Sequence, residues 1–71
     1  EALEFSIQEE SEVTGVSLME LKLKKNLLIG GINRNGKIHI PRGQDSILKG
    51  DTVFVVTTQK GLQDIRDILK K

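Results

Sequence analysis

Gly31, Gly36 and Lys37 occupy the glycine and lysine positions of the phosphate-cradling pattern G-x-x-x-x-G-K, whose backbone amides and ammonium group hold a nucleotide's phosphates. The next position decides against that chemistry. Ile38 stands where Ser or Thr would hold magnesium, and the following residues read as a strand ending at Pro41, with no helix N-terminus to receive phosphate. His39 is the only imidazole, which rules out a two-histidine metal site. Its place beside Lys37 on the less apolar side of a strand suits a surface or pocket-wall residue better than a catalytic base. Ser, His and Asp all occur, but no nucleophile elbow or other spacing links them into a triad. The expectation is a protein that is not an enzyme, with no metal site and no cofactor. Charge is the remaining lead. Lys22, Lys24, Lys25, Arg34, Lys37 and Arg42 make the middle of the chain basic, against an acidic stretch of Glu9, Glu10 and Glu12. Two solvated patches account for this pattern. So does a small anionic ligand, with Lys24, Arg34 and Arg42 as charge donors and His39 and Pro41 as walls. The paired Gly30 and Gly31 fit the second reading, because strands rarely carry adjacent glycines unless backbone, ligand or partner must come close.

The elements that would position these residues can be read from periodicity. Leu3, Phe5 and Ile7 alternate with Glu4, Ser6 and Gln8, as in a half-buried strand. Ser17 and Glu20 stand at capping-box spacing, with Val16 and Leu21 as a hydrophobic staple, and predict a short helix burying Leu18 and Leu21. Leu27 to Asn33 and Lys37 to Ile40 read as two strands of a hairpin turning at Asn35-Gly36. A two-residue loop would pair Ile32 with His39 and mix apolar with polar side chains on both faces. A three-residue loop with a bulge at Gly36 pairs Ile32 with Ile38 and is the expected register. It places Leu28, Ile32, Ile38 and Ile40 on one face and Ile29, Asn33, Lys37, His39 and Pro41 on the other. Thr52 to Thr57 is apolar on both sides and belongs at the centre of a sheet. Leu62, Ile65, Ile68 and Leu69 stand at helical spacing, with Asp64 near the start and Lys70 and Lys71 near the end, and predict an amphipathic second helix. The expected fold class is α+β: one two-layer domain over 1–71, a mixed β-sheet with a central hairpin and two short helices.

With 71 residues and no Cys, the chain has neither disulfide nor zinc-thiolate support, and good packing or oligomerisation must supply its stability. Eleven Lys+Arg against ten Asp+Glu give a net charge of +1 and, with two Phe as the only aromatics, argue against nucleic acid as a partner. No apolar run approaches the roughly 20 residues of a membrane span, and a cytoplasmic location is expected. The chain starts at Glu1 without Met and enters strand-like alternation at once, which suggests a segment of a longer protein. A homodimer is expected from area: two short helices cannot cover both sides of the sheet, and Ile29, Gly31 and Pro41 are the candidate interface residues.

Four segments in order are similar to the TrkA C-terminal domain, also called the RCK C-terminal domain. They are Gly15-Val16-Ser17-Leu18-Met19-Glu20-Leu21, Leu28 to Gly36 with its R-x-G end, Ile40-Pro41-Arg42-Gly43, and Leu48-Lys49-Gly50-Asp51-Thr52-Val53. The resemblance implies a compact domain that pairs with a second copy and regulates a potassium uptake system, lying at the membrane through a transporter subunit. It also implies a small ligand between the paired domains, cyclic di-AMP or another nucleotide in some members. The lining positions correspond to Lys24, where those members carry Arg, and to Ile40 and Pro41. A purely structural assembly domain of a transporter or transcription regulator is the alternative.

Overall fold

The computed structural model describes residues 1–70; the expected part of Lys71 in the last element lies outside them. Four strands, β1 (Ala2–Ser6), β2 (Leu27–Arg34), β3 (Lys37–His39) and β4 (Thr52–Thr57), form one sheet in the order β1-β4-β2-β3. Every ladder is antiparallel, so the sheet is not mixed. β4 is central as its two-sided apolarity predicts, while the β2–β3 hairpin lies toward one edge.

The hairpin register differs from the expected one. Asn35 and Gly36 have φ of 56° and 82°, and Ile32 pairs with His39, Asn33 with Ile38 and Arg34 with Lys37. This is a two-residue turn with both central residues left-handed, whose twist matches that of the flanking strands. A second irregularity lies in β2, where Ile29 pairs with Val55 but Gly31 with Phe54. The extra residue at Gly30 is a β-bulge, which resets the alternation so that Ile29 and Ile32 face the same way. Both are buried, beside Val53 and Val55. Leu28 and Ile38, expected to share a face with Ile32, lie on the opposite side, and Ile40 follows β3 with its side chain exposed.

No α-helix forms among the described residues; the two helical segments are single 3-10 turns, Leu18–Glu20 and Ile65–Ile68. The capping box at Ser17 is not made, since its side chain accepts no cap hydrogen bond. Loop carbonyls take its place: Leu18 N–H donates to Asp45 O at 2.8 Å and Met19 N–H to Gly43 O at 2.9 Å. The following Leu21-Lys22-Leu23 alternates with period two and runs extended, Leu23 bridging Leu69. This ribbon claims the end of the expected second helix, leaving one turn on which Ile65 and Ile68 are buried. That turn is capped by Asp64, which accepts from Arg66 N–H, and by Asp67, which accepts from Asp64 N–H at 3.0 Å. The core is aliphatic, with Val13, Ile47, Ile65 and Ile68 of the irregular layer closing over Ile29, Ile32, Val53 and Val55 of the sheet. Among the described residues none forms a second layer on the other side of the sheet, where Leu28, Ile38 and Val56 are exposed.

Candidate functional site

β3 pairs with only the last three residues of β2, so Leu27 to Gly31 has no strand on that side. An open groove of about 220 Å³ lies there, lined by Leu18, Met19, Leu23, Leu27, Leu28, Ile29, Pro41, Arg42 and Gly43. Its far wall is the loop after β3. Asp45 holds that loop in shape by accepting from Arg42 N–H at 2.7 Å, while Asp45 N–H donates to Arg42 O. Met19 packs on Gly43, where a Cβ would lie 3.0 Å from its terminal methyl, a tight contact that the exposed, flexible Met19 side chain would have to relieve by a small shift. Arg42 is the one charged side chain on the lining and is itself exposed. Chemically the groove suits an apolar or planar group with one anionic end.

The sequence-predicted residues are divided among three places. Pro41 and Arg42 line the groove, and Ile40 precedes them with its side chain 79% exposed. Lys24 follows the wall residue Leu23 but belongs to the ribbon, donating its N–H to Ile68 O at 2.9 Å. Arg34 and His39 stand at the hairpin end. Arg34 is engaged there: Nε donates to Asp51 Oδ1 at 2.8 Å and Nη2 to Asp51 Oδ2 at 2.7 Å and to Ser46 O at 2.8 Å. Asp51 is 1% exposed and also accepts from Leu48 N–H. The Arg34 guanidinium holds its carboxyl below the usual range despite burial, with the Leu48 amide and the His39 side helping, and Arg34 is raised in return. Of the expected interface residues, Ile29 is in the core, Gly31 lies buried beneath Phe54 and Ile38, and Pro41 is half-buried in the groove.

Two features escaped sequence reasoning. One is Asp51 as the partner of Arg34, although both stand in quoted motifs, R-x-G and L-x-x-G-D. The other is the membership of the uncovered sheet face: such a face is expected from the sequence, with Ile29 and Pro41 on it, but it is Leu28, Ile38 and Val56 that are 64%, 68% and 49% exposed there, around a half-buried Phe54. Gly30 and Gly31 lie against this face, their missing Cβ positions 3.6 Å from Val56 and Phe54, which lets the larger side chains lie low over β2. Leu28 belongs to both this face and the groove. Among the described residues no helix is long and apolar enough to cross a membrane, and no cluster of three or more His, Asp or Glu could hold a metal ion.

Comparison with known proteins agrees with this arrangement. A Trk system potassium uptake protein TrkA homolog of Archaeoglobus fulgidus is 34% identical over 68 residues, covering 96% of this chain and 16% of that protein. One of Pyrococcus abyssi is 33% identical over 72 residues, covering all of this chain and 32% of that protein. The chain thus spans less than a third of these relatives. A solved chain titled "Structure of RCK domain with cda" superposes with a TM-score of 0.69 over 83% of this chain and 81% of its own length; at 20% identity it shows a shared fold. The TrkA-C domain family matches residues 2–70, and the chain belongs to that family.

Proposed function

We propose that this domain is a regulatory module of a Trk-type potassium uptake system. In this reading it pairs with a second copy through the uncovered sheet face and holds a small anionic ligand in the groove beside it. The observation that carries the reading is the continuity of the two surfaces at Leu28: a partner seated on Leu28, Phe54 and Val56 would also close the open side of the groove. A ligand there would contact both copies and favour the relative orientation in which they enclose it, and that difference in affinity is what can bias an attached transporter. Arg42 supplies the charge and Pro41 is part of the apolar wall, with the exposed Ile40 next to it in the chain. The relatives' names support potassium uptake as the setting; a place in the cytoplasm beside a membrane subunit is part of the same proposal. No step in this reading requires catalysis.

A second reading, an assembly domain without a ligand, is favoured by the groove's single charged residue. Calorimetric titration of the chain with cyclic di-AMP, and in parallel with AMP, separates the two. Saturable heat that disappears in Arg42→Glu, at unchanged thermal stability, is expected from the regulatory reading. Absence of saturable heat from either nucleotide would leave the assembly reading in its place.

A further inference from the structure

The groove wall and the sheet are separate in sequence, and one buried contact ties them. Asp51 immediately precedes β4 and Arg34 closes β2, 17 residues apart in the chain, and they meet in a two-pronged ion pair. The segment between them carries β3 and the loop of Pro41 to Leu48, so the pair closes that loop at its base. Arg34 also donates to Ser46 O, and Ser46 is bridge-paired with Ser17, next to the 3-10 turn whose Leu18 and Met19 amides donate to Asp45 O and Gly43 O. Asp51 is therefore linked through Arg34 to Ser46, within the same loop that presents Arg42 and is held by the turn.

We infer that Arg34 and Asp51 are positioning residues, a clasp that sets the groove wall of Pro41, Arg42 and Gly43 at its distance from β2, and that Arg34 is not a ligand contact. The geometry supports this on two counts. Nε and Nη2 of the guanidinium are already committed to Asp51 and Ser46, and a planar fork bound to one carboxylate is poorly placed to grip a second anion. Arg34 is also absent from the groove lining, whereas the loop it anchors supplies one whole wall. The assignment rests on the ligand groove proposed above, but its physical core, control of the wall by the clasp, stands without a ligand.

The sign of one substitution separates clasp from contact. In Asp51→Asn a contacting Arg34 would be released and would bind an anion more tightly, whereas a clasp would loosen and weaken cyclic di-AMP binding, with Arg34→Lys changing it in the same direction. Tighter binding in Asp51→Asn would overturn the inference. Hydrogen exchange on the ligand-free chain gives the second readout, and it stands even if cyclic di-AMP does not bind. Amides of Leu18, Met19 and Arg42, which the loop holds, should exchange about tenfold faster in both variants, while Leu3 and Val55 in the β1–β4 ladder keep their protection. Unchanged loop amides, or equal acceleration everywhere, would show the pair to be ordinary stabilisation.

Discussion

Val55 and Val56 are neighbours of one residue type in the central strand, yet Val55 is fully buried while Val56 is half in solvent. The same contrast runs across the sheet. Ile29 and Ile32 are sealed under the irregular layer, whereas Leu28 and Ile38 stand exposed on the far side. Composition does not distinguish the two faces, because both are aliphatic. What differs is the chain available to cover them: Val13, Ile47, Ile65 and Ile68 all close on one side. A domain this small can build one covering layer, and it leaves the second apolar face for something outside itself.

The contrast is tested first where it should be greatest. Ile32 is completely buried and touches the covering layer, so Ile32→Ala should cost about 3 kcal/mol in denaturant unfolding, from lost transfer energy plus the cavity left behind. The loss should be the same at every protein concentration, since this face meets no partner. A cost below about 1 kcal/mol would mean that the layer collapses freely into the gap, and the inner face would then be less tightly packed than described.

Register decides which residues reach which face, and the Asn35-Gly36 turn sets it. Gly36 has φ of 82° with open space where a Cβ would stand, so the obstacle to substitution is backbone conformation and not crowding. Gly36→Val should lower stability by roughly 1 to 2 kcal/mol, because a β-branched residue resists the left-handed region. Unchanged thermal unfolding would show that the hairpin tip does not hold the register.

Much of this molecule was legible in its sequence, and the exceptions share a cause. The Leu3-Phe5-Ile7 alternation, the two-sided apolarity of Thr52 to Thr57 and the Asn-Gly turn are local signals, and each element is where they indicate. The helices were misread because their fate depends on distant carbonyls: Asp45 and Gly43 take the Leu18 and Met19 amides at the start of the first turn, and Leu23 draws Leu69 into a bridge. The hairpin faces were misread for two reasons: the two-residue turn pairs Ile32 with His39 and so sends Ile38 to the other side, and the extra residue at Gly30 inverts the alternation of Leu28 and Ile29 against Ile32. The adjacent glycines did mark that place, but as a close approach rather than a bulge. Arg34 looked like a free cation because its partner lies 17 residues away, and nothing in local spacing pairs R-x-G with L-x-x-G-D. Pro41 and Arg42 reached the groove together because they are neighbours in one loop.

The smallest effect on the folded monomer is expected on the outer face, and it says most about function. Ile38 is 68% exposed and Val56 49%, so replacing both with Ser removes little buried surface from a single copy and should leave its unfolding at low concentration nearly unchanged. Paired copies would respond differently. Four strands about 4.8 Å apart and six residues at about 3.3 Å each present roughly 400 Å² in projection, below the ~800 Å² of accessible surface each partner gives to a standard interface. The sheet face therefore needs the groove wall beside Leu28 to complete the contact, and the pair should be one that dissociates on dilution. Sedimentation equilibrium across the micromolar range should show the unmodified chain moving from monomer to dimer, with apparent stability rising in step, and Ile38→Ser with Val56→Ser should remain monomeric throughout. If the doubly substituted chain dimerises as well as the unmodified one, the second copy does not sit on this face. If the unmodified chain is monomeric at high micromolar concentration, the uncovered face serves some partner other than a second copy.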